Sequence, residues 1–253
     1  MSADGALEFA TGGYRFLAGV FQYSAGVAAL PGFSIERVRF AQPPPLHEGF
    51  AAVEAHLGAR GRPLTAFCAC ELRSPAPFTE AGFTAFNHDY VQTLARWQLY
   101  RDGVNPVART NVCPAIDPPA MPVLHAFSYT VPSRAAAGRG SFIVAGGGEA
   151  KEGRGSYRDN IVRFGDTGPD ALREKVRYVV AEMERRLVAL GFTWSDAGAT
   201  QAYTVHDIGS LAAGEIFARG AAREGLTWHY ARPPVVGIEY EMDVRGTAQE
   251  IVV

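Results

Sequence analysis

The chain has 253 residues, 47% hydrophobic and 20% charged, with a formal net charge of -2. This is the profile of a globular protein that buries a sizeable core, and it excludes intrinsic disorder. It also lacks the basic footprint of a nucleic-acid binder and any polybasic segment for anionic lipid, so the expected partner is a small molecule. Residues 1–11 do not read as a basic start followed by an apolar run, and no apolar stretch approaches the roughly 18 residues of a membrane span; a cytoplasmic protein is expected.

In chain order, Tyr14 to Val27 is β-prone. Leu46, Phe50, Val53 and Leu57 then fall on one helical face ahead of Gly58 and Gly61, which predicts a helix over 46–57. Leu64 to Leu72 (LTAFCACEL) reads as a strand, Phe83 to Tyr100 as a second helix, and Val107 to Val112 as the start of a return to strands. Val123 to Val131 closes this series as a strand, and the small residues of 133–140 read as a linker.

The second half repeats the order. Ser141 to Ala145 is a strand running into Gly146-Gly147-Gly148. Leu172, Val176, Val179, Val180, Met183 and Leu187 mark the best-defined helix, 171–190, opened by Pro169 and Asp170 and stopped by Gly191. Thr200 to Ile208 reads as a strand, Leu211 to Glu224 as a helix, and Ala231 to Asp243 as the next strand region. Two Ala-Arg pairs, at 108–109 and 231–232, stand about half a chain apart in matching places, so a structural duplication is expected rather than a repeat of sequence. The boundaries are 1–132 and 141–253, joined by 133–140.

Few residues carry chemistry by spacing alone. Six scattered histidines and three cysteines make no zinc pattern, so no metal and no cofactor are expected. Cys68, Cys70 and Cys113 read as buried free thiols, with a nucleophilic Cys113 as a lesser reading because Arg109 lies four residues away. Gly147 and its neighbours either let a substrate approach the backbone or simply end a strand. Glu239 and Glu241 share one face of a strand, where positive partners such as Arg245 are expected.

At this point the chain resembles the Rid (YjgF/YER057c/UK114) family. The second half carries the likeness in Leu190-Gly191, Ala202-Tyr203-Thr204-Val205, Ala231-Arg232 and the terminal GTAQEIVV; the first half carries it in Phe86-Asn87-His88-Asp89-Tyr90 and Ala108-Arg109-Thr110. Stretches such as VFQYSAGVAALPGF and RPPVVGIEYEMD make the whole similar to tandem deaminases of 2-aminomuconate and 2-amino-5-chloromuconate. The resemblance implies an α+β protein of two tandem Rid-like (chorismate-mutase-like) domains, each a mixed β-sheet with two helices packed on one face. It implies a cofactor-independent deaminase, a hydrolase that releases ammonia from an enamine or imine, and assembly as a trimer.

By the same resemblance, Arg232 and Arg109 bind substrate carboxylate, and Glu250 positions water and moves its proton. His125 stands where the first half's glutamate would fall. A planar guanidinium suits this task because it grips a carboxylate with two parallel charge-assisted bonds. Two other readings remain open: a non-catalytic binder of carboxylate metabolites, and a chorismate-processing enzyme.

Overall fold

The computed structural model describes residues 5–133, 140–151, 155–221 and 223–253. Four strands open the chain: β1 (Leu7–Phe9), β2 (Tyr14–Leu17), β3 (Gly26–Ala29) and β4 (Phe33–Arg39). Helix α1 (Leu46–Ala59), β5 (Phe67–Arg73), α2 (Glu80–Arg96), β6 (Ala108–Pro114) and β7 (Val123–Pro132) complete the first half. The second half runs β8 (Phe142–Gly148), the single turn α3 (Tyr157–Asn160), α4 (Pro169–Leu190), β9 (Ala199–Tyr203), β10 (Leu226–His229), β11 (Ala231–Arg232), β12 (Glu241–Gly246) and β13 (Gln249–Val252). Of the expected linker, residues 134–139 lie outside the described part.

These strands form two mixed sheets, ordered β1-β2-β3-β8-β12-β9-β10 and β11-β6-β5-β7-β4-β13. The order β6-β5-β7-β4 in one sheet has its counterpart in β10-β9-β12-β8 of the other. In both, the first pair is parallel and is joined by a helical crossover, as parallel neighbours require. The crossover between β5 and β6 is the regular α2, capped by the Thr79 hydroxyl. Its counterpart between β9 and β10 is not the helix expected over 211–224: it breaks into a short α turn, a π-helical Ala212–Ile216 and a 3-10 turn Phe217–Arg219 that ends at a left-handed Gly220. Glycines at 214 and 220 weaken helix propagation there.

The halves also exchange strands. β3 pairs with β8 of the second half, and the terminal strand β13 pairs in parallel with β4 of the first. Between the sheets lies an apolar layer to which Val27, Ile35, Cys68, Ala108 and Ile143 contribute. On the outer faces, α4 packs Val176, Val179, Val180, Met183 and Leu187 against Phe142, Val144, Met242 and Val244. α1 and α2 cover the other sheet through Phe50, Val53, Leu57, Tyr90 and Leu94. All three cysteines are buried and free. No helix among the described residues is long and apolar enough to cross a membrane.

One polar contact is sunk entirely in this frame. Lys175 Nζ donates to Glu149 Oε1 (3.1 Å) and to the Val162 carbonyl (2.6 Å), and both side chains are fully buried. Glu149 also accepts the backbone N–H groups of Glu239 (2.7 Å) and Tyr240 (2.9 Å), so it ties the end of β8 to the entry of β12 and to α4. Burial pushes its pKa up, against the opposing pull of Lys175 and those amides. Lys175→Ala leaves this carboxylate without its counter-charge and is expected to lower the unfolding free energy by about 3–5 kcal/mol, read by urea denaturation.

Candidate active site

Arg109 is the second residue of β6, and α2 closes over it. Its side chain is buried, only 3% exposed. Nη2 donates to Asn87 Oδ1 of α2 at 2.7 Å. The guanidinium carbon lies 4.6 Å from the ring centroid of Tyr90, 5.2 Å from Tyr23, 5.7 Å from Phe83 and 5.8 Å from Phe86. Aromatic faces stabilise a desolvated cation but do not satisfy its N–H groups. Nη1 is buried without a hydrogen-bond partner. A buried guanidinium so placed has the chemistry to accept an anion.

Arg109 borders a cleft together with Tyr23, Phe83, Asn111, Gly146, Gly148, Tyr157, Val235, Ile238 and Glu241. The two halves of the chain thus supply opposite walls. Thr110, pointing to the other face of β6, accepts the Gly146 amide proton on Oγ1 at 3.1 Å and holds the second sheet against the first. Glu241 begins β12 and is 4% exposed. Its carboxylate occupies the space a side chain at Gly146 would take, since a Cβ there would overlap Oε1. Glycine at 146 is therefore what admits an acidic group to this wall. Asn111 is also 3% exposed; its Oδ1 accepts from Ser74 Oγ (2.9 Å), while Nδ2 has no partner.

The other residues singled out by sequence lie elsewhere. Gly147 faces α4, where a Cβ would press on Met183 and Arg186; its neighbours Gly146 and Gly148 line the cleft instead. Arg232 and Glu250 do not meet within one chain. They sit on β11 and β13, the opposite edge strands of one six-stranded sheet, which at ~4.8 Å per strand places them roughly 24 Å apart. Arg232 is half-exposed and its Nη1 is 3.7 Å from Glu239 Oε2, which also meets His206 Nε2 at 2.8 Å. Glu250 meets Arg245 (2.7 Å) and Arg37 (3.3 Å). Burial raises its pKa, but Arg245 and Arg37 outweigh that and hold it below the ordinary value, the reverse of what a base poised near neutrality needs.

His125 and Cys113 are equally remote from acid–base or nucleophilic work. Burial, then Arg73, drives the His125 pKa down to about 3, with Glu71 opposing, so the ring is neutral at physiological pH. Burial and the Glu241 charge push the Cys113 thiol up to about 12; Arg73, not Arg109, is the cation that opposes this. Nor does Arg245 serve Glu241: it belongs to the inter-sheet cluster in which Arg37 grips Glu71 at 2.6 and 2.9 Å. Only the tertiary fold brings Glu241 to the cleft that Arg109 also lines.

The fold and cleft define a class: a two-sheet α+β protein whose halves jointly line a cleft with a buried arginine and a buried glutamate. Comparison with known proteins narrows this. A family model described as 2-aminomuconate deaminase CnbZ matches residues 6–251, and the chain belongs to that family. It is 60% identical over 247 residues to a 2-amino-5-chloromuconate deaminase of Comamonas testosteroni, covering 98% of each chain. Among solved structures it is similar in fold to a chorismatase, with a TM-score of 0.52 at 11% identity over 91% of this chain and 79% of that one. A cyanuric acid hydrolase from A. caulinodans matches at a TM-score of 0.39 and 13% identity, over 85% of this chain and 67% of that one.

The depressed pKa of His125 has a sign that can be checked. Below the ordinary histidine value of about 6.5 the unfolded chain takes up a proton that the native ring refuses, so stability falls as pH drops from about 6.5 towards about 3. His125→Gln removes this component. Urea unfolding at pH 7, 6 and 5 should show the slope of stability against pH reduced by up to about 1.4 kcal/mol per pH unit. An unchanged slope would mean that His125 protonates in the folded protein.

Proposed function

We propose that the protein is a deaminase of a 2-aminomuconate-like dicarboxylate, that Arg109 holds a substrate carboxylate, and that Glu241 moves the protons. The observation that carries this is a buried guanidinium with an unpaired N–H, in one cleft with a buried carboxylate. The family and the closely similar deaminase of C. testosteroni supply the substrate class. The chemistry is hydrolytic and balances with water alone. The enamine carbon next to C–NH2 takes a proton, giving the iminium C=NH2+, whose charge is discharged when water adds and loses a proton in the next step. Water adds to the C=N carbon as its proton passes to Glu241, and the carbinolamine expels ammonia when that proton is delivered to nitrogen, leaving a 2-oxo acid.

Arg109 fixes the carboxylate adjoining the reacting carbon, which converts an encounter into an oriented complex. The apolar wall of Phe83, Val235 and Ile238 lies beside a flat conjugated chain and excludes bulk water. The matching four-strand orders of the two sheets support reading the chain as a tandem of Rid-like units.

Ammonia release from enzymatically generated 2-aminomuconate is the direct test; a rate no faster than the spontaneous one overturns the reading. Arg109→Gln should lower kcat/KM by about 100-fold or more, through loss of a charge-assisted anchor. Glu241→Gln, close to isosteric, should lower kcat by about 10²–10⁴-fold with KM little changed. Glu250→Gln should stay within a few-fold of the wild type. A collapse at Glu250 with retention at Glu241 would transfer the proton-moving role back to the terminal strand.

A further inference from the structure

We infer that Asn111 is a second anchor of the same cleft, and that its amide nitrogen binds the carboxyl group Arg109 does not hold. This deepens the proposed function and rests on the Arg109 cleft being the substrate site. A linear dicarboxylate presents two anionic ends, and the Arg109 guanidinium accounts for one. Asn111 lies two residues further along β6, on the same face of the strand, about 6.6 Å away at the Cα. Its side chain is 97% buried by the measure that leaves it 3% exposed, and it lines the cleft.

The Asn111 amide is already half committed. Ser74 Oγ, itself fully buried, donates to Oδ1 at 2.9 Å and so turns the amide nitrogen the other way. Nδ2 is left buried with no partner, as is Arg109 Nη1. Two buried donors on one strand face, both unsatisfied and both bordering one cleft, match an acceptor-rich ligand at two points. A neutral donor is also suited to the second position. It satisfies a carboxylate without adding a second buried cation beside Arg109, where repulsion and desolvation would both oppose folding.

Trans,trans-muconate and sorbate test this directly, because they share one six-carbon diene and differ by replacement of a carboxylate with a methyl group. Titration calorimetry in about 0.15 M salt, which screens the long-range difference in charge, should show the wild type binding muconate about tenfold or more tighter than sorbate. In Asn111→Leu, of similar size, that preference should fall to about threefold or less while sorbate affinity stays within about threefold. A preference kept at the wild-type value in a folded Asn111→Leu protein overturns the assignment. Asn111→Asp guards against misfolding, since it keeps an acceptor for Ser74 but replaces the donor by a repelling charge. It should bind muconate no better than sorbate, and a retained preference again overturns the assignment. The outcomes remain separable from those of the deaminase reading: wild type that releases ammonia while both variants keep their preference discards Asn111 alone, whereas wild type that binds neither acid removes the cleft and Asn111 together.

Discussion

The carboxylate of Glu149 is the constraint on which the cleft depends. A fully buried anion is tolerated only where charge and N–H groups surround it, and here Lys175, the Glu239 amide and the Tyr240 amide do so. Satisfying that one group fixes three elements together: the glycine-rich end of β8, the entry to β12 and the long helix α4. Glu241 follows directly after the clamped pair, so the position of the acidic wall is set by a contact that touches no substrate.

The opposite wall is built on a different principle. Arg109 is held among aromatic faces by one hydrogen bond to the Asn87 amide oxygen, an environment that offsets desolvation only in part and leaves Nη1 unsatisfied in a residue that lines the cleft. Arg232, its counterpart by sequence, sits half-exposed on an edge strand with Glu239 nearby and is already partnered. The two Ala-Arg pairs thus end in different surroundings: packing by α2 buries Arg109, while Arg232 stays half-exposed at a sheet edge. The irregular crossover Gly209–Arg219 does not supply a similar lid on the other side.

Much of the fold was legible because its signals are local. The apolar spacing of 171–190, its proline start and its glycine stop yielded α4 to within two residues, and the alternation of 123–131 yielded β7. Prolines 233 and 234 limited β11 to two residues and delayed β12 to Glu241, which the continuous reading of 231–243 missed, since proline cannot donate to a ladder. The neighbour of the terminal strand was not visible in the sequence: β13 crosses to β4, carrying Glu250 to Arg37 and away from Arg232.

By itself, the sequence determined the alternation of strands and helices in two similar series and the family resemblance, and it singled out the arginine of the first half. These follow from periodicity, from cap and breaker residues and from short motifs, all of which act over a few residues. Only the tertiary structure decided which acid shares a cleft with that arginine, that Gly146 rather than Gly147 lines it, and that the Asn111 amide nitrogen is buried without a partner. Those outcomes depend on which strands become neighbours across a hundred residues or more, and on whether burial leaves a polar group paired or unsatisfied, and neither is encoded in local spacing.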